Sequence, residues 1–183
     1  MKIDAIAVVS ADGCIANPDH PTQDWASKAD FAHFTDVKSG YKLLIMGLAT
    51  YRNSPTYLME PNALPENTLR VILTSDPSSS KNKPIPGKRE FVNLTAQQVV
   101  AKYSKSYDSA LLLGGSVVYT SFIEAGLIDE FYITTEDSVT LNQENNATPL
   151  LLDGKSLADF PHVILYNEHP EPTTTITKIK FNT

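Results

Sequence analysis

The sequence predicts an α/β fold: a mainly parallel central sheet of about eight strands, helices on both faces, and an antiparallel hairpin at the C-terminal edge. Three observations carry this. Short apolar runs at Lys2–Val9, Lys42–Met46, Leu69–Ser75 and Ala110–Leu113 lack a helical period, as strands buried on both faces do. Segments with helical spacing alternate with these runs. The last two runs, Pro161–Asn167 and Thr173–Phe181, have no helix between them, so they should pair antiparallel at an edge.

At 183 residues, with 42% hydrophobic and 20% charged residues, the chain reads as one globular domain spanning 1–183, able to bury a core without staples. A net charge of −6 argues against nucleic-acid and anionic-membrane partners, though it leaves room for a local basic pocket. The single cysteine, Cys14, excludes an internal disulfide and a cysteine-rich zinc site. No metal-ligand spacing occurs, and His20, His33, His162 and His169 are scattered and read as surface residues. No basic segment followed by a long apolar run suggests a signal peptide. No run approaches the ~20 residues of a membrane helix. A cytoplasmic location is the simplest reading.

In order, the first strand runs into a turn at Ser10-Ala11-Asp12-Gly13 and then Cys14-Ile15-Ala16. Asn17–Asp24 is a polar loop with two prolines, either a cover for a site or an idle surface loop. Ser27 is placed to cap a helix over Lys28–Val37, with Phe31, Phe34 and Val37 inward. Lys42–Met46 ends at Gly47, Leu48–Asn53 suits a short helix, and three prolines make Ser54–Asn67 irregular. After the strand Leu69–Ser75 comes a loop over Asp76–Gly87, then a short strand at Phe91-Val92. Thr95-Ala96-Gln97-Gln98 has the spacing of a capping box and opens a helix to about Tyr103. Ser138–Thr148 is a polar excursion.

Ala110–Thr135 organises the rest. An apolar strand meets Gly114-Gly115; Ser116 can cap a helix carrying Val117, Val118, Phe122 and Ile123; Gly126 suits a left-handed C-terminal cap; Phe131–Thr134 begins a second strand. Glycines between a buried strand and a helix start let a ligand approach the backbone, and the free amides there attract an anion such as a pyrophosphate. A tight strand-to-helix turn explains the same residues.

Asp30 is the acid of interest. It sits near a helix start beside Trp25, Phe31 and Phe34, where a carboxylate is costly to bury unless it binds something, for instance a ring with paired N–H donors. At the third helical position it also complements the helix dipole with no further role. Asp12 reads as a turn residue, and Asp129-Glu130 as a solvated strand entry. Nucleophile-elbow, P-loop and Gly-x-Gly-x-x-Gly motifs are absent.

Six stretches occur in order: Ser10-Ala11-Asp12-Gly13-x-Ile15-Ala16, Trp25-x4-Asp30-x3-Phe34, Ile45-Met46-Gly47-x-x-Thr50-Tyr51, Leu73-Thr74-Ser75, Leu113-Gly114-Gly115-x-x-x-Tyr119-x-x-Phe122, and Gly126-Leu127-Ile128-Asp129-Glu130. Together they resemble the dihydrofolate reductase superfamily, which includes dihydrofolate reductases and the reductase domain of riboflavin biosynthesis. The last stretch is similar to the riboflavin branch. The resemblance implies a dihydrofolate reductase-like fold and an oxidoreductase that uses NADPH, with NADH possible. It implies a pterin pocket with Asp30 as the acidic catalytic residue, Thr134 in its hydrogen-bond network, Ile6 and Leu113 offering carbonyls, and Trp25, Phe31 and Phe34 around the ring. It implies cofactor contacts from Val8, Ile15, Ala16, Gly47, Ala49, Thr50, Thr74, Ser75, Gly114, Gly115, Ser116, Val117, Val118 and Tyr119, and no metal.

The departures bear on substrate and cofactor. Leu48 and Val117 stand where the family often has arginine for the NADPH 2′-phosphate, leaving Thr74, Ser75 and Lys81 or Lys83. Thr68 stands where an arginine should pair with the folate carboxylate; Arg70 is two residues on. The leading reading is reduction of dihydrofolate or a close pterin. The alternatives are reduction of a 5-amino-6-ribosylamino-pyrimidine phosphate in riboflavin synthesis, for which no basic cluster is evident, and a non-catalytic nucleotide-binding protein. The deaminase zinc motif of the riboflavin branch is absent, so that resemblance is to the reductase half. The branch also bears on whether the chain is a monomer or a homodimer.

Overall fold

The computed structural model describes residues 1–16, 22–54, 65–141 and 149–182. Most of the loop expected at 17–24, of the irregular stretch at 54–67 and of the excursion at 138–148 lies outside the described residues.

The strands are β1 (Lys2–Ser10), β2 (Leu43–Gly47), β3 (Leu69–Leu73), β4 (Arg89–Val92), β5 (Ser109–Leu112), β6 (Glu130–Glu136), β7 (His162–Glu171) and β8 (Thr174–Phe181). The helices are α1 (Lys28–Ser39), α2 (Leu48–Asn53), α3 (Ala96–Tyr103) and α4 (Ser116–Glu124). One eight-stranded sheet has the order β4-β3-β2-β5-β1-β6-β8-β7. The pairs from β4 to β6 are parallel; β8 runs antiparallel to β6, and β7 to β8. The expected α/β fold with its antiparallel edge hairpin is therefore present.

Alternation along the central strands splits the core. Ile3, Ala5, Leu43, Ile45, Val71 and Leu112 pack with Val99 and Tyr103 of α3 and Phe122 and Ile123 of α4. Ile6, Leu44 and Leu111 point to the other face and meet Phe34 and Val37 of α1. Phe122 is fully buried, so Phe122→Ala would cost roughly 3–5 kcal/mol.

Local chemistry sets the helix ends. Thr95 and Gln98 close a reciprocal capping box at the start of α3. At the end of α4, Gly126 takes φ 64°, its amide bonds the Ile123 carbonyl, and the Leu127 amide bonds that of Phe122, a Schellman arrangement. Helix α1 runs two residues beyond the expected Val37, to Ser39. Ser116 is not the cap of α4: Gly115 holds that position with no side-chain bond, and Ser116 is the first helical residue.

Asp129 is exposed, as a solvated strand entry should be, yet it, the half-buried Glu130 and the overlooked Asp4 all have partners. Asp129 accepts the Ile3 amide at 2.7 Å, and Glu130 is bridged by Lys2 at 2.7 Å and Lys178 at 2.9 Å. Asp4, inside an apolar strand, is fully buried, with Lys2 at 2.9 Å and the Tyr41 hydroxyl as a donor. His33 is half-buried rather than on the surface, with its ring 5.6 Å from that of Tyr132.

Candidate active site

β5 leads into α4 on one face of the sheet, and the neighbouring β1 leads to α1 on the other, so a crevice opens beyond their C-terminal ends. A cleft of about 1250 Å³ lies there. It exceeds the ~300–1,000 Å³ of common ligand pockets, leaving room for two ligands side by side.

Its floor is built by two adjacent strand-to-helix turns. Gly47 ends β2, and its amide donates to the Gly114 carbonyl at 2.7 Å. The Gly114–Gly115 peptide is cis, and Gly114 has φ 106°. A Cβ on Gly115 would stand 3.0 Å from Thr50 Oγ1, and one on Gly47 would stand 3.2 Å from Val118 Cγ2. Side chains there would fill the cradle. No side chain caps α4; the Val118 amide already donates to the Gly115 carbonyl at 2.9 Å, which leaves the amides ahead of it to meet a ligand.

The cleft brings together nearly every residue singled out in the sequence. Ile6, Val8, Ile15 and Ala16 come from β1 and the turn after it; Asp30, Phe31 and Phe34 from α1; Gly47, Ala49 and Thr50 from β2 and α2. Thr74, Ser75, Leu113, Gly114, Gly115, Ser116, Val117, Val118 and Tyr119 complete the set. Trp25 and Thr134 are outside the lining. Trp25 is half-buried, and its Nε1 has no hydrogen-bond partner among the described residues. Thr134 is fully buried behind Asp30. Phe31, expected to point inward, is 56% exposed and faces the cleft. The Ile6 carbonyl already accepts the buried Tyr119 hydroxyl at 2.5 Å. Lys81 and Lys83 are absent from the lining; Asn93, Thr95 and Gln97 stand beside Thr74 and Ser75 instead. The three polar side chains went unpredicted because they follow a short strand whose place at the sheet edge has no local signature.

Asp30 is buried at 8% exposure. Burial pushes its carboxyl up to about 6; the Thr134 hydroxyl works against that, and the Glu136 carboxylate adds to it. The Thr134 hydroxyl faces the carboxyl without making a hydrogen bond of standard geometry. Glu136, also buried, accepts the Ser27 amide at 2.8 Å and the Thr174 hydroxyl at 2.8 Å. No part of the sequence reading pointed to Glu136. Among the described residues that line the cleft, Lys28 and Asp30 carry the charge, and the rest of that lining is largely apolar.

A second feature lies at the Phe34 wall. Lys38 Nζ is 5.0 Å from the centre of the Phe34 ring. Burial and the charge of Arg70 both pull the Lys38 ammonium below its ordinary value. Burial also lowers Arg70; Tyr51 opposes that and Arg89 adds to it. Arg89 donates to the Tyr51 hydroxyl at 2.6 Å. Lys38 of α1 and Arg89 of β4 are thus each close enough to Arg70 of β3 for their charges to act on one another, and none of the three lines the cleft. Thr68, where a folate-binding arginine was expected, is buried.

Among the described residues, no helix is long and apolar enough to cross a membrane. None of the curated proteins matches the chain. Several solved structures share its fold. A deaminase/5-amino-6-(5-phosphoribosylamino)uracil reductase from Thermotoga maritima is 15% identical with TM-score 0.75, covering 99% of this chain and 56% of that one. This chain therefore spans little more than half of that protein. A pyrimidine reductase-like protein from Corynebacterium diphtheriae is 12% identical with TM-score 0.74, covering 100% and 92%. A dihydrofolate reductase from Enterococcus faecalis complexed with NADP(H) is 16% identical with TM-score 0.65, covering 100% and 97%. The RibD C-terminal domain model matches residues 2–136, well over half of the sequence. The chain belongs to the RibD C-terminal domain family.

Proposed function

We propose that this protein is a nicotinamide-dependent reductase of a phosphorylated ribosylamino-pyrimidine of the riboflavin-pathway type. The observation that carries the reaction class is Asp30, a protonatable carboxyl in an apolar cleft beside a glycine cradle and an uncapped helix start. The family match and the resemblance to pyrimidine reductases favour the pyrimidine over dihydrofolate, which the sequence had placed first.

The residues present fit a dinucleotide. Gly47, Gly114 and Gly115 permit close approach, the open amides of α4 suit a pyrophosphate, and Thr74, Ser75 and Asn93 suit a ribose. Bound there, a dihydronicotinamide supplies a hydride. The chain's own residues do the rest. Asp30 can hold the substrate ring through paired hydrogen bonds and keep a proton for a substrate nitrogen. Phe31 and Phe34 supply apolar walls.

The test is oxidation of NADPH, with NADH alongside, by the purified protein with 5-amino-6-ribosylamino-pyrimidinedione phosphate and, separately, dihydrofolate. Turnover of the pyrimidine that Asp30→Asn removes, with dinucleotide binding retained, is expected. Turnover of dihydrofolate alone would restore the pterin reading. Dinucleotide binding with no turnover of either would leave a binding module.

A further inference from the structure

Helix α1 opens with Ser27-x-x-Asp30, the spacing of a capping box, but the box is only half made. The Asp30 amide donates to Ser27 Oγ at 3.0 Å. The return bond, from the Ser27 amide to the Asp30 carboxyl, is missing; that amide donates to Glu136 Oε1 at 2.8 Å, from β6. The chain contains two controls. At Thr95 the box closes, with the Thr95 amide on Gln98 Oε1 at 2.9 Å. At Ser156, an aspartate in the same third position closes it, with the Ser156 amide on Asp159 Oδ2 at 2.8 Å. An aspartate at this spacing can therefore close the box, and at Ser27 another carboxylate holds its partner.

Glu136 is built to do this. It is 3% exposed, and its second oxygen accepts the Thr174 hydroxyl at 2.8 Å from the paired strand β8. It is thereby fixed between the start of α1 and the β6–β8 ladder. We propose that Glu136 is a positioning residue for Asp30: by taking the Ser27 amide it keeps the Asp30 carboxyl out of the capping box and turned into the cleft. The groups facing Asp30 are Thr134 and Glu136 from β6, Ser27 at its own helix start, and Tyr119 from α4, whose own ionisation Asp30 opposes. Only Glu136 among these is a carboxylate, and it pushes Asp30 the same way as burial does. The consequence for catalysis rests on the reductase reading; the positioning itself does not.

The test is the titration of the Asp30 carboxyl carbon by NMR in the full chain, assigned with Asp30→Asn, in wild type, Glu136→Gln and Glu136→Ala. No substrate is needed, so the outcome is independent of turnover. Glu136→Gln keeps an oxygen for the Ser27 amide and removes the like charge; the Asp30 midpoint should fall from about 6. Glu136→Ala also releases the Ser27 amide to Asp30, as at Ser156, and a carboxylate that gains an N–H donor titrates lower still. Once an acceptor is known, the pH profile of kcat/KM should move with the midpoint, the protonated fraction at pH 7 falling about tenfold per unit. A midpoint in Glu136→Ala no lower than that in Glu136→Gln overturns the positioning, and Glu136→Leu, which keeps the volume and also frees the Ser27 amide, takes its place if Glu136→Ala does not fold. A reductase with no acceptor but a shifted midpoint sinks the functional reading alone.

Discussion

The amide of Gly47 donates to the carbonyl of Gly114 across 2.7 Å, tying the turn after β2 to the turn after β5. Helices α2 and α4 start from these two turns. The backbone beside it tolerates no added bulk: Gly114 has φ 106°, and a Cβ there would stand 3.1 Å from the Tyr119 hydroxyl, itself bonded to Ile6.

Gly114→Ala should therefore destabilise the protein by roughly 1–3 kcal/mol and weaken dinucleotide binding, because an L side chain strains at that φ and displaces Tyr119. Gly126→Ala is the control. It has φ 64° with nothing within 4 Å, so it should cost roughly 1–2 kcal/mol and leave binding unchanged. Thermal unfolding and fluorescence titration with NADPH measure the two effects. Equal binding losses in both variants would place the cofactor elsewhere.

Asp30 makes stability depend on pH. Its carboxyl is raised from 3.8 to about 6 in the folded protein. Below pH 3.8 both states are protonated and the group contributes nothing; as pH rises through the window the unfolded chain ionises first, so stability falls, and the loss is complete above about 6. A shift of about two units corresponds to roughly 3 kcal/mol. Urea unfolding of wild type and Asp30→Asn should show the variant gaining on wild type by about that amount between pH 4 and pH 7. Parallel curves would mean that the folded carboxyl ionises normally.

Cofactor selectivity should be weak. Leu48 and Val117 border the cleft, and neither lysine of the following loop lines it. NADH and NADPH should give kcat/KM values within about tenfold of one another. Leu48→Arg, which supplies a charge-assisted partner for a 2′-phosphate, should raise the NADPH preference by about 10–100-fold, equivalent to ~1.5–3 kcal/mol. Unchanged selectivity in Leu48→Arg would move the 2′-phosphate away from α2.

Lys38 separates the substrate readings. Lys38→Met should raise KM for a phosphorylated acceptor by about tenfold, leave kcat largely unchanged, and have little effect on the unphosphorylated analogue. The methionine keeps apolar contact with Phe34. Equal effects on both analogues would show that Lys38 does not read the phosphate.

Some of the protein is written locally. Thr95 and Gln98 announce the start of α3, Gly126 announces the end of α4, and apolar runs without helical period announce the central strands, because each depends on residues within a turn or two. The motifs around Asp30, Gly47 and Gly114-Gly115 were legible for the same reason, and they line one cleft. The Ser116 cap failed on equally local grounds: Gly115 takes the cap position and offers the amides no side chain.

What only the tertiary structure decided is which distant residues meet. Glu136 reaches Ser27 across 109 positions because β6 lies beside β1 at the mouth from which α1 departs. Lys38, Arg70 and Arg89 gather from a helix end and two neighbouring strands, so no stretch of sequence displays a basic cluster. Residue types and spacing by themselves determined the strands, the caps, the glycine turns and an acid at the third position of α1. A local pattern offers Asp30 the Ser27 amide; strand order and register bring Glu136 of β6 to that amide instead.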